Sequence, residues 1–436
     1  MSELQDFLDS VSGPSEPGEF GIDLVAAVAK ISAHQIPYGG HWALKIVQAA
    51  VALGSAGIEI FQTRNKTRFL LWGIGSFALD ALRQKFWDVE PAENRSLNYL
   101  KTALWRVGVH EKRAFTIRGL EGSLRWDGRD LGIEERAKSG DSLEIEVDHL
   151  AFDSREGWWA RVRQARNVNA TTGAILAKRA FVCPVPLSLD NRRIDYLFCC
   201  GHPGLGPSSF PVGFTCLYEG DPKFKLDSLG LKPRPWWNRS ALGDLAEEHL
   251  ENLELPSEDI WMAAILAFHV GHKVVSKTSY LACRPGRSLC QWVVDGVVTE
   301  RVVFFDRTSP LSINCFVSGE GLATDMTTMS LHQNQEFKDR FRKVVQETRK
   351  LLDSDWKFDL DTLLKSETSR HKTEAALTGL AGLFVVVLPP VSLLVWWAGK
   401  RQYQVSQEAS RKAVEEALGG LATLREEFGK LAAEWS

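Results

Sequence analysis

Residues 41–75 read HWALKIVQAAVALGSAGIEIFQTRNKTRFLLWGIG, and this stretch decides the fold. Over residues 42–53 the apolar side chains recur at helical spacing, and the glycines that follow predict the end of a helix. Residues 57–61 alternate between apolar and polar types, which predicts a short strand, and residues 67–72 predict a second strand after a polar turn. The chain then enters a glycine turn at 73–75. Together these segments predict an α/β unit in which the helix covers one face of a hairpin.

The order of these segments resembles the start of the ATP-binding domain of the GHKL superfamily, which includes gyrase-type, heat-shock-90-type, histidine-kinase and MutL-type ATPases. In that family the helix reads roughly E-L-x-x-N-A-x-D-A-G, and a later strand ends in D-x-G-x-G. Residues 45–54 align with the first motif and residues 71–75 with the second, without gaps. The resemblance implies an α+β fold, a two-layer α/β sandwich of the GHKL (Bergerat) type.

The functional positions of that family hold other residue types here. Lys45 stands where the family has the glutamate that activates water, and Ala49 where it has the asparagine that holds Mg²⁺. The two aspartates of the motifs fall on Ala52 and Leu71. These changes remove the general base, the metal ligand and the reader of the adenine amino group. The resemblance therefore implies a pseudo-ATPase with no catalytic residue and no metal ligand.

Gly73 and Gly75 keep the types that the family has, so they are the two candidate nucleotide-binding residues. Both could equally serve a turn that needs small residues. No cofactor is expected, and ATP is the one that the resemblance allows. His269 and His272 lie three residues apart but have no third ligand nearby in the sequence, so a metal site is not predicted.

The composition bounds the class of protein. The chain has 436 residues, 44% hydrophobic and 25% charged, with a formal net charge of −3. This length leaves room for two or three domains, and the charge gives no reason to expect nucleic acid as a partner. Seven cysteines without a C-x-x-C motif indicate buried thiols in a reducing compartment. With no N-terminal signal peptide, the large N-terminal part is expected in the cytoplasm.

The predicted organisation is a mobile acidic arm over 1–20, the GHKL-like domain over 21–150 and a second mixed α/β domain over 151–355. Within the second domain, residues 258–272 predict an apolar helix, and Asp295-Gly296 predicts the turn of a hairpin. The arginine-rich segment 155–166 could form a phosphate or nucleic-acid patch. Its pattern favours the solvated face of a helix whose tryptophans are buried.

Residues 375–399 form a run of 25 residues without a charge, which predicts a transmembrane segment. Pro389-Pro390 would kink it, and a re-entrant hairpin or a buried core helix with a proline break are the alternatives. Residues 403–436 predict an amphipathic helical tail, either a surface helix, a short coiled coil or a helix that packs back on the rest. With a single crossing, the tail would lie on the other side of the membrane.

Three functions are compatible with this pattern. The first is a membrane-anchored, catalytically inactive GHKL-like protein that binds, senses or scaffolds, with the membrane and one or more proteins as partners. The second is an active GHKL-type ATPase with non-standard catalytic residues, for which Glu59, Asp80 or Asp88 would have to serve. The third is a membrane-acting effector with a soluble sensor region. The sequence leaves the oligomeric state open.

Overall fold

The structure is a computed structural model of the chain. It describes residues 24–36, 38–75, 77–92, 94–134, 141–152, 157–196, 209–220, 223–224, 259–275, 278–324, 330–354 and 389–435. The predicted acidic arm over 1–20 lies outside these residues.

Helices and strands are numbered along the chain. The helices of the described residues are α1 (Leu24–Gln35), α2 (His41–Ala52), α3 (Leu79–Lys85), α4 (Arg95–Leu104, continued by a π-helical turn over Trp105–His110), α5 (Trp158–Arg179), α6 (Gln335–Asp353) and α7 (Pro389–Glu434). The strands are β1 (Gly57–Gln62), β2 (Lys66–Trp72), β3 (Arg113–Gly119), β4 (Gly122–Trp126), β5 (Leu131–Glu134), β6 (Leu143–Ala151), β7 (Leu187–Leu189), β8 (Arg192–Arg193), β9 (Ser209–Leu217), β10 (Met262–Val275), β11 (Thr278–Cys283), β12 (Leu289–Val294), β13 (Val297–Val303) and β14 (Leu311–Ser318).

The first sheet contains the hairpin that the sequence predicts. Its eight strands have the order β5-β4-β3-β6-β2-β1-β7-β8, and β1 pairs with β2 in antiparallel register. Helix α2 packs on this sheet, where the Trp42 ring meets Phe69 edge-on at 5.7 Å between centroids. The predicted helix, strand, turn and strand are therefore confirmed, and the chain has the mixed α/β architecture that they imply.

The first sheet extends beyond residue 150, the predicted end of the first domain. Helix α5 carries the chain back to the free edge of β1, and β7 pairs there in parallel, with Ile58 opposite Leu187. Two parallel neighbouring strands need a crossover connection, so β7 is a strand of the first sheet and α5 is the helix that leads to it. Strand β7 has only three residues, too few to show a period of its own in the sequence.

The second sheet has six strands, in the order β11-β10-β14-β12-β13 with β9 paired to β10. The segment predicted as an apolar helix over 258–272 contributes strand β10 instead, so that prediction is wrong. Strand β10 pairs with β9 on one side and β14 on the other, and its residues from Met262 to Phe268 are buried. A central strand that is covered on both faces reads as a continuous apolar run, which resembles a buried helix.

Within the described residues, the C-terminal helix α7 runs from Pro389 to Glu434, so the two prolines are its first described residues. Residues 375–388 of the predicted membrane segment lie outside the described residues. Among the helices that the structure does describe, none combines the length and the apolar character that crossing a membrane requires.

The second half of α7 packs back on the second sheet and on α6, one of the three arrangements that the sequence left open. Phe428 lies against Phe304 at 4.9 Å between ring centroids, and Trp435 meets Phe341 edge-on at 4.8 Å. The Arg425 side chain donates a hydrogen bond to the carbonyl of Leu352 at 2.9 Å. In this structure the tail is part of the folded body and shares its apolar core.

Candidate functional site

The two predicted nucleotide-binding glycines lie just past the C-terminal end of α2. Gly73 has φ +67°, and a Cβ there would lie 2.8 Å from the Cβ of Ala56. The Ala56 amide and the Ser55 hydroxyl both donate to the carbonyl of Trp72, at 2.8 and 2.9 Å. The close packing of this turn against the chain that leaves α2 therefore requires glycine at 73. Gly75 is exposed, and a Cβ there would meet nothing within 4 Å.

The substituted positions of the helix motif are buried in protein. Lys45, Ala49 and Leu71 have no exposed surface. The Lys45 ammonium lies 5.1 Å from the centre of the Tyr99 ring on α4. A charged lysine in the interior is costly unless its surroundings compensate, so the groups around Lys45 are part of the stability of this region. This face of α2 presents an ammonium where a carboxylate would be needed to activate water.

The turn of the β12–β13 hairpin packs against the same helix. Gln48 donates its side-chain amide to the carbonyl of Val294 at 3.1 Å. Gly296, with φ +72°, lies so close that a Cβ would come within 3.3 Å of a Val51 methyl group and 2.5 Å of the Pro184 ring. Chain segments from both sheets therefore meet along the C-terminal half of α2, and we call this region the closed end.

Asp295 ties the closed end together through buried polar contacts. Its carboxylate accepts hydrogen bonds from Arg95 at 2.7 Å and from the Tyr99 hydroxyl at 2.8 Å. Arg95 also pairs with Glu320 at 3.3 Å. Burial raises the pKa of Asp295 to about 6, against the opposing pull of Arg95 and Lys45. The same burial, with Asp295 beside it, raises the pKa of Tyr99, so the phenol stays protonated as a donor.

The three carboxylates that an active ATPase would need to use do not converge on α2. Glu59 alternates with Ile58 and Ile60, which are buried, so its side chain points to the opposite face of the first sheet. The carboxylate of Asp80 is largely exposed and faces Arg83 at 3.8 Å. The Asp88 carboxylate accepts a hydrogen bond from the backbone amide of Glu90.

The N-terminal end of α2 is different, because an open cleft of about 890 Å³ lies beside it. The cleft is bounded by the turn before α2, by the ends of β3 and β6 that meet there, and by α5. It is lined by Gly39, Gly40, Trp42, Glu111, Arg113, His149, Trp159, Ala160, Arg163, Gln164, Asn167, Val168, Thr171 and Thr172. We call this region the open end. It is separated from Gly73 by the length of α2, 12 residues or about 18 Å.

The arginine-rich segment lies at this cleft, and its tryptophans are not buried. Trp158 is 58% exposed and Trp159 75% exposed, so the prediction of a helix with buried tryptophans is wrong. The two rings pack on each other edge-on at 4.3 Å between centroids. Of the arginines on this segment, Arg163 lines the cleft.

Arg113 lies at the base of the cleft and is only 3% exposed. It donates from Nε to the carbonyl of Asp148 at 2.6 Å and from Nη1 to Glu111 at 2.7 Å. Its guanidinium lies 5.1 Å from the centre of the Trp42 ring. Within the described residues the buried Nη2 has no hydrogen-bond partner. A buried donor without a partner costs about 1–3 kcal/mol, so its presence calls for an explanation.

Two further polar side chains line the cleft without complete pairing. The Oγ1 of Thr172 and the Oε1 of Gln164 are buried and lack partners within the described part of the chain. His149, by contrast, is held between the Thr67 hydroxyl at 2.9 Å and the carbonyl of Arg64 at 3.2 Å. Burial lowers the pKa of His149 to about 4, so its imidazole is neutral at physiological pH.

The described residues contain no group of three or more histidine, cysteine, aspartate or glutamate side chains placed to hold a metal ion. His269, one of the two histidines considered for that role, is buried between the hydroxyls of Ser209 and Ser312, at 3.0 and 2.6 Å. His41 is the first residue of α2 and packs edge-on against Tyr38 at 5.4 Å.

Sequence reasoning missed the cleft, and only one local signal pointed to it. That signal was the cluster of arginine and tryptophan at the start of α5. The rest of the cleft is lined by residues such as Gly40, Arg113 and His149, which are distant from one another in the sequence and share no motif.

Comparison with protein-family models gives no match, and comparison with characterised proteins gives none either. Solved structures do match in part. The N-terminal domain of a DNA repair protein is 10% identical over 74% of this chain and 97% of its own, with a TM-score of 0.34. The MutL ATPase domain of Aquifex aeolicus complexed with ADP is 11% identical over 67% of this chain and 91% of its own, with a TM-score of 0.29.

The ATPase domain of the mismatch repair endonuclease MutL from the same organism is 11% identical over 71% of this chain and 98% of its own, with a TM-score of 0.32. At these TM-scores the likeness carries no argument about this chain.

Proposed function

We propose that this chain is a catalytically inactive relative of the GHKL ATPases that acts as a binding, sensing or scaffolding component. The observation that carries the proposal is the closed end of α2. Lys45 is fully buried there in place of the glutamate of the family motif, and its ammonium lies against the Tyr99 ring. Hydrolysis of ATP needs a base to activate water and a metal ion to neutralise the phosphates.

The packing of the hairpin turn supports the proposal independently of the aligned residue types. Gln48 and Val51, one turn apart on α2, contact Val294 and Gly296 directly. A ligand on this side of the helix would have to displace the turn and break the two hydrogen bonds that Asp295 accepts from Arg95 and Tyr99. The hairpin turn thus occupies the space along this side of the helix.

The test is calorimetric titration of the full chain with ATP, with and without Mg²⁺. The full chain is used because α7 packs on the second sheet. We expect no saturable heat up to about millimolar nucleotide, where ligands of biologically useful affinity would be visible. An active GHKL ATPase titrated in parallel shows that the conditions support binding. One-to-one binding with hydrolysis of the bound nucleotide would overturn the proposal and favour the active ATPase.

Attachment to a membrane is a second, separable part of the proposal, and it rests on the uncharged run at 375–399. A charge at the centre of a membrane segment is costly, so Val386→Arg should move the chain from the membrane fraction to the soluble fraction. Leu418→Arg places the same charge on α7 at a residue that is 50% exposed, and it should leave the distribution unchanged. Equal distribution of the wild type and both variants would contradict the anchor.

A further inference from the structure

We propose that the cleft at the open end of α2 binds a small organic anion, in which a carboxylate or phosphate is attached to a planar ring. This site is separate from the position of the nucleotide motifs and does not depend on the proposed function. The anion would meet Arg113 and Arg163, and the ring would pack on Trp159.

The charge of the lining favours an anion. Two arginines and one glutamate line the cleft in the described part of the chain, which leaves an excess of one positive charge. Both oxygens of Glu111 are already engaged, one by Arg113 at 2.7 Å and the other by Arg106 at 3.0 Å. Glu111 therefore holds Arg106 and Arg113 in place. The side chain of Arg163 is exposed and can contact a ligand.

Arg113 provides a donor that is fixed before any ligand arrives. Its Nε and Nη1 are anchored by Asp148 and Glu111, and its guanidinium lies over the Trp42 ring. Nη2 is the part of the group that has no partner within the described residues. A planar guanidinium with one free edge suits an oxyanion, because its remaining N–H groups can donate to a carboxylate or phosphate oxygen.

The size and the aromatic rim describe the rest of the ligand. A volume of about 890 Å³ falls in the range of small-molecule sites, roughly 300–1,000 Å³. Trp159 is 75% exposed at the rim and presents an apolar ring that the protein itself does not cover. The Thr172 hydroxyl, which has no partner within the described residues, can donate to the anion along the wall. A ligand with an oxyanion joined to a ring could contact the arginines with its charge and Trp159 with its ring.

The experiment is calorimetric titration of the full chain with phenyl phosphate and with benzoate. Inorganic phosphate and phenol serve as probes that each carry half of the ligand. We expect at least one of the two ring-bearing anions to bind more tightly than either half. Failure of both to bind at about 10 mM, a concentration that reveals affinities of only a few kcal/mol, would overturn the proposal.

Variants on α5 separate the site from general charge effects. Arg163→Ala should weaken binding about tenfold or more, the value of one charge-assisted hydrogen bond. Trp159→Ala should also weaken it, and both residues are exposed, so the fold is kept. Arg166→Ala removes an equal charge from an exposed residue on the same helix that does not line the cleft. Equal affinity of the Arg163 and Arg166 variants would show that the anion binds by surface charge alone.

Discussion

The two ends of helix α2 differ in what lies against them. At the closed end, Gly296 and Val294 of the second sheet contact α2 directly, and Asp295 is buried among its partners. At the open end, a cleft lies beside the start of the helix and α5, and polar atoms along it lack partners within the described residues. The positions aligned with the family motifs lie toward the closed end, where the Oε1 of Gln48 also lacks a partner within the described residues, whereas the cleft with the buried Nη2 of Arg113 lies at the open end.

The two ends of α2 therefore differ in the role that their side chains are expected to have. Lys45, Ala49 and Leu71, which align with the functional positions of the family motifs, are fully buried. At the open end, the Nη2 of the buried Arg113 guanidinium has no hydrogen-bond partner within the described residues, which stability alone does not favour. The comparison predicts that closed-end variants change stability, whereas variants of the exposed side chains that line the open end change binding.

Among the closed-end variants, Gly296→Ala has the largest expected effect. The left-handed φ of +72° and the approach to Pro184 and Cys183 leave no room for a Cβ. We expect a loss of about 4 kcal/mol in the free energy of unfolding, from backbone strain and overpacking together. Urea denaturation measures it. Gly132→Ala is the control, because a Cβ there meets nothing within 4 Å. An equal loss of stability in both variants would show that Gly296 is not closely packed at the closed end.

The second prediction concerns the pH dependence of Asp295→Asn. The pKa of Asp295 is raised from 3.8 to about 6 on folding, so at intermediate pH the folded chain holds a proton that the unfolded chain has released. The free energy of unfolding of the wild type, relative to the variant, should therefore fall as pH rises from about 4 to 6, by up to about 3 kcal/mol.

Denaturation of both proteins in urea across this pH range measures the difference. The buried histidines His41, His149 and His269 have lowered pKa values and destabilise the chain in the opposite direction, as pH falls. They are present in both proteins and cancel in the comparison. A difference that does not vary with pH would mean that the carboxyl is not buried as described.

The third prediction separates the two glycines of the family motif. Gly73→Ala should cost about 2 kcal/mol, because φ is +67° and the new Cβ would meet Ala56 at 2.8 Å. Gly75→Ala should change the free energy of unfolding by less than about 0.5 kcal/mol, since the space around it is free. Thermal and urea denaturation distinguish the two. A larger cost at Gly75 than at Gly73 would show that the turn is packed differently.

The smallest expected effect on stability lies at the open end. Trp159→Ala removes a ring that is 75% exposed, so the free energy of unfolding should change by less than about 0.5 kcal/mol. Trp42→Ala at the base of the same cleft, where the ring is fully buried, should cost about 3–5 kcal/mol. If the two variants lost equal stability in urea denaturation, the Trp159 ring would be part of the core.

Local patterns predicted the elements whose residues alternate or recur within a few positions. Helix α2, the β1–β2 hairpin and the Asp295-Gly296 turn follow from helical spacing, alternation and the need for positive φ. Strand β10 was mistaken for a helix because, with both faces covered, its apolar run has no period of two.

The cleft could not be predicted, for a different physical reason. Its key residues, Gly40, Arg113 and Thr172, lie on three separate elements and meet only through packing. The exposure of Trp158 and Trp159 also depends on how α5 lies on the first sheet. A tryptophan pair in a sequence predicts burial, and only the tertiary arrangement shows that these two rings face solvent.

The most direct test of the difference between the two ends is amide hydrogen exchange of the full chain, measured alone, with saturating Mg-ATP and with saturating phenyl phosphate. Bound ligands slow exchange where they contact the backbone or order it. We predict slower exchange at Gly39–Gly40 and along α5 with phenyl phosphate, and no change at Leu71–Gly75 with Mg-ATP. Slower exchange at Leu71–Gly75 with Mg-ATP would contradict the account, because it would place a working nucleotide site at the closed end.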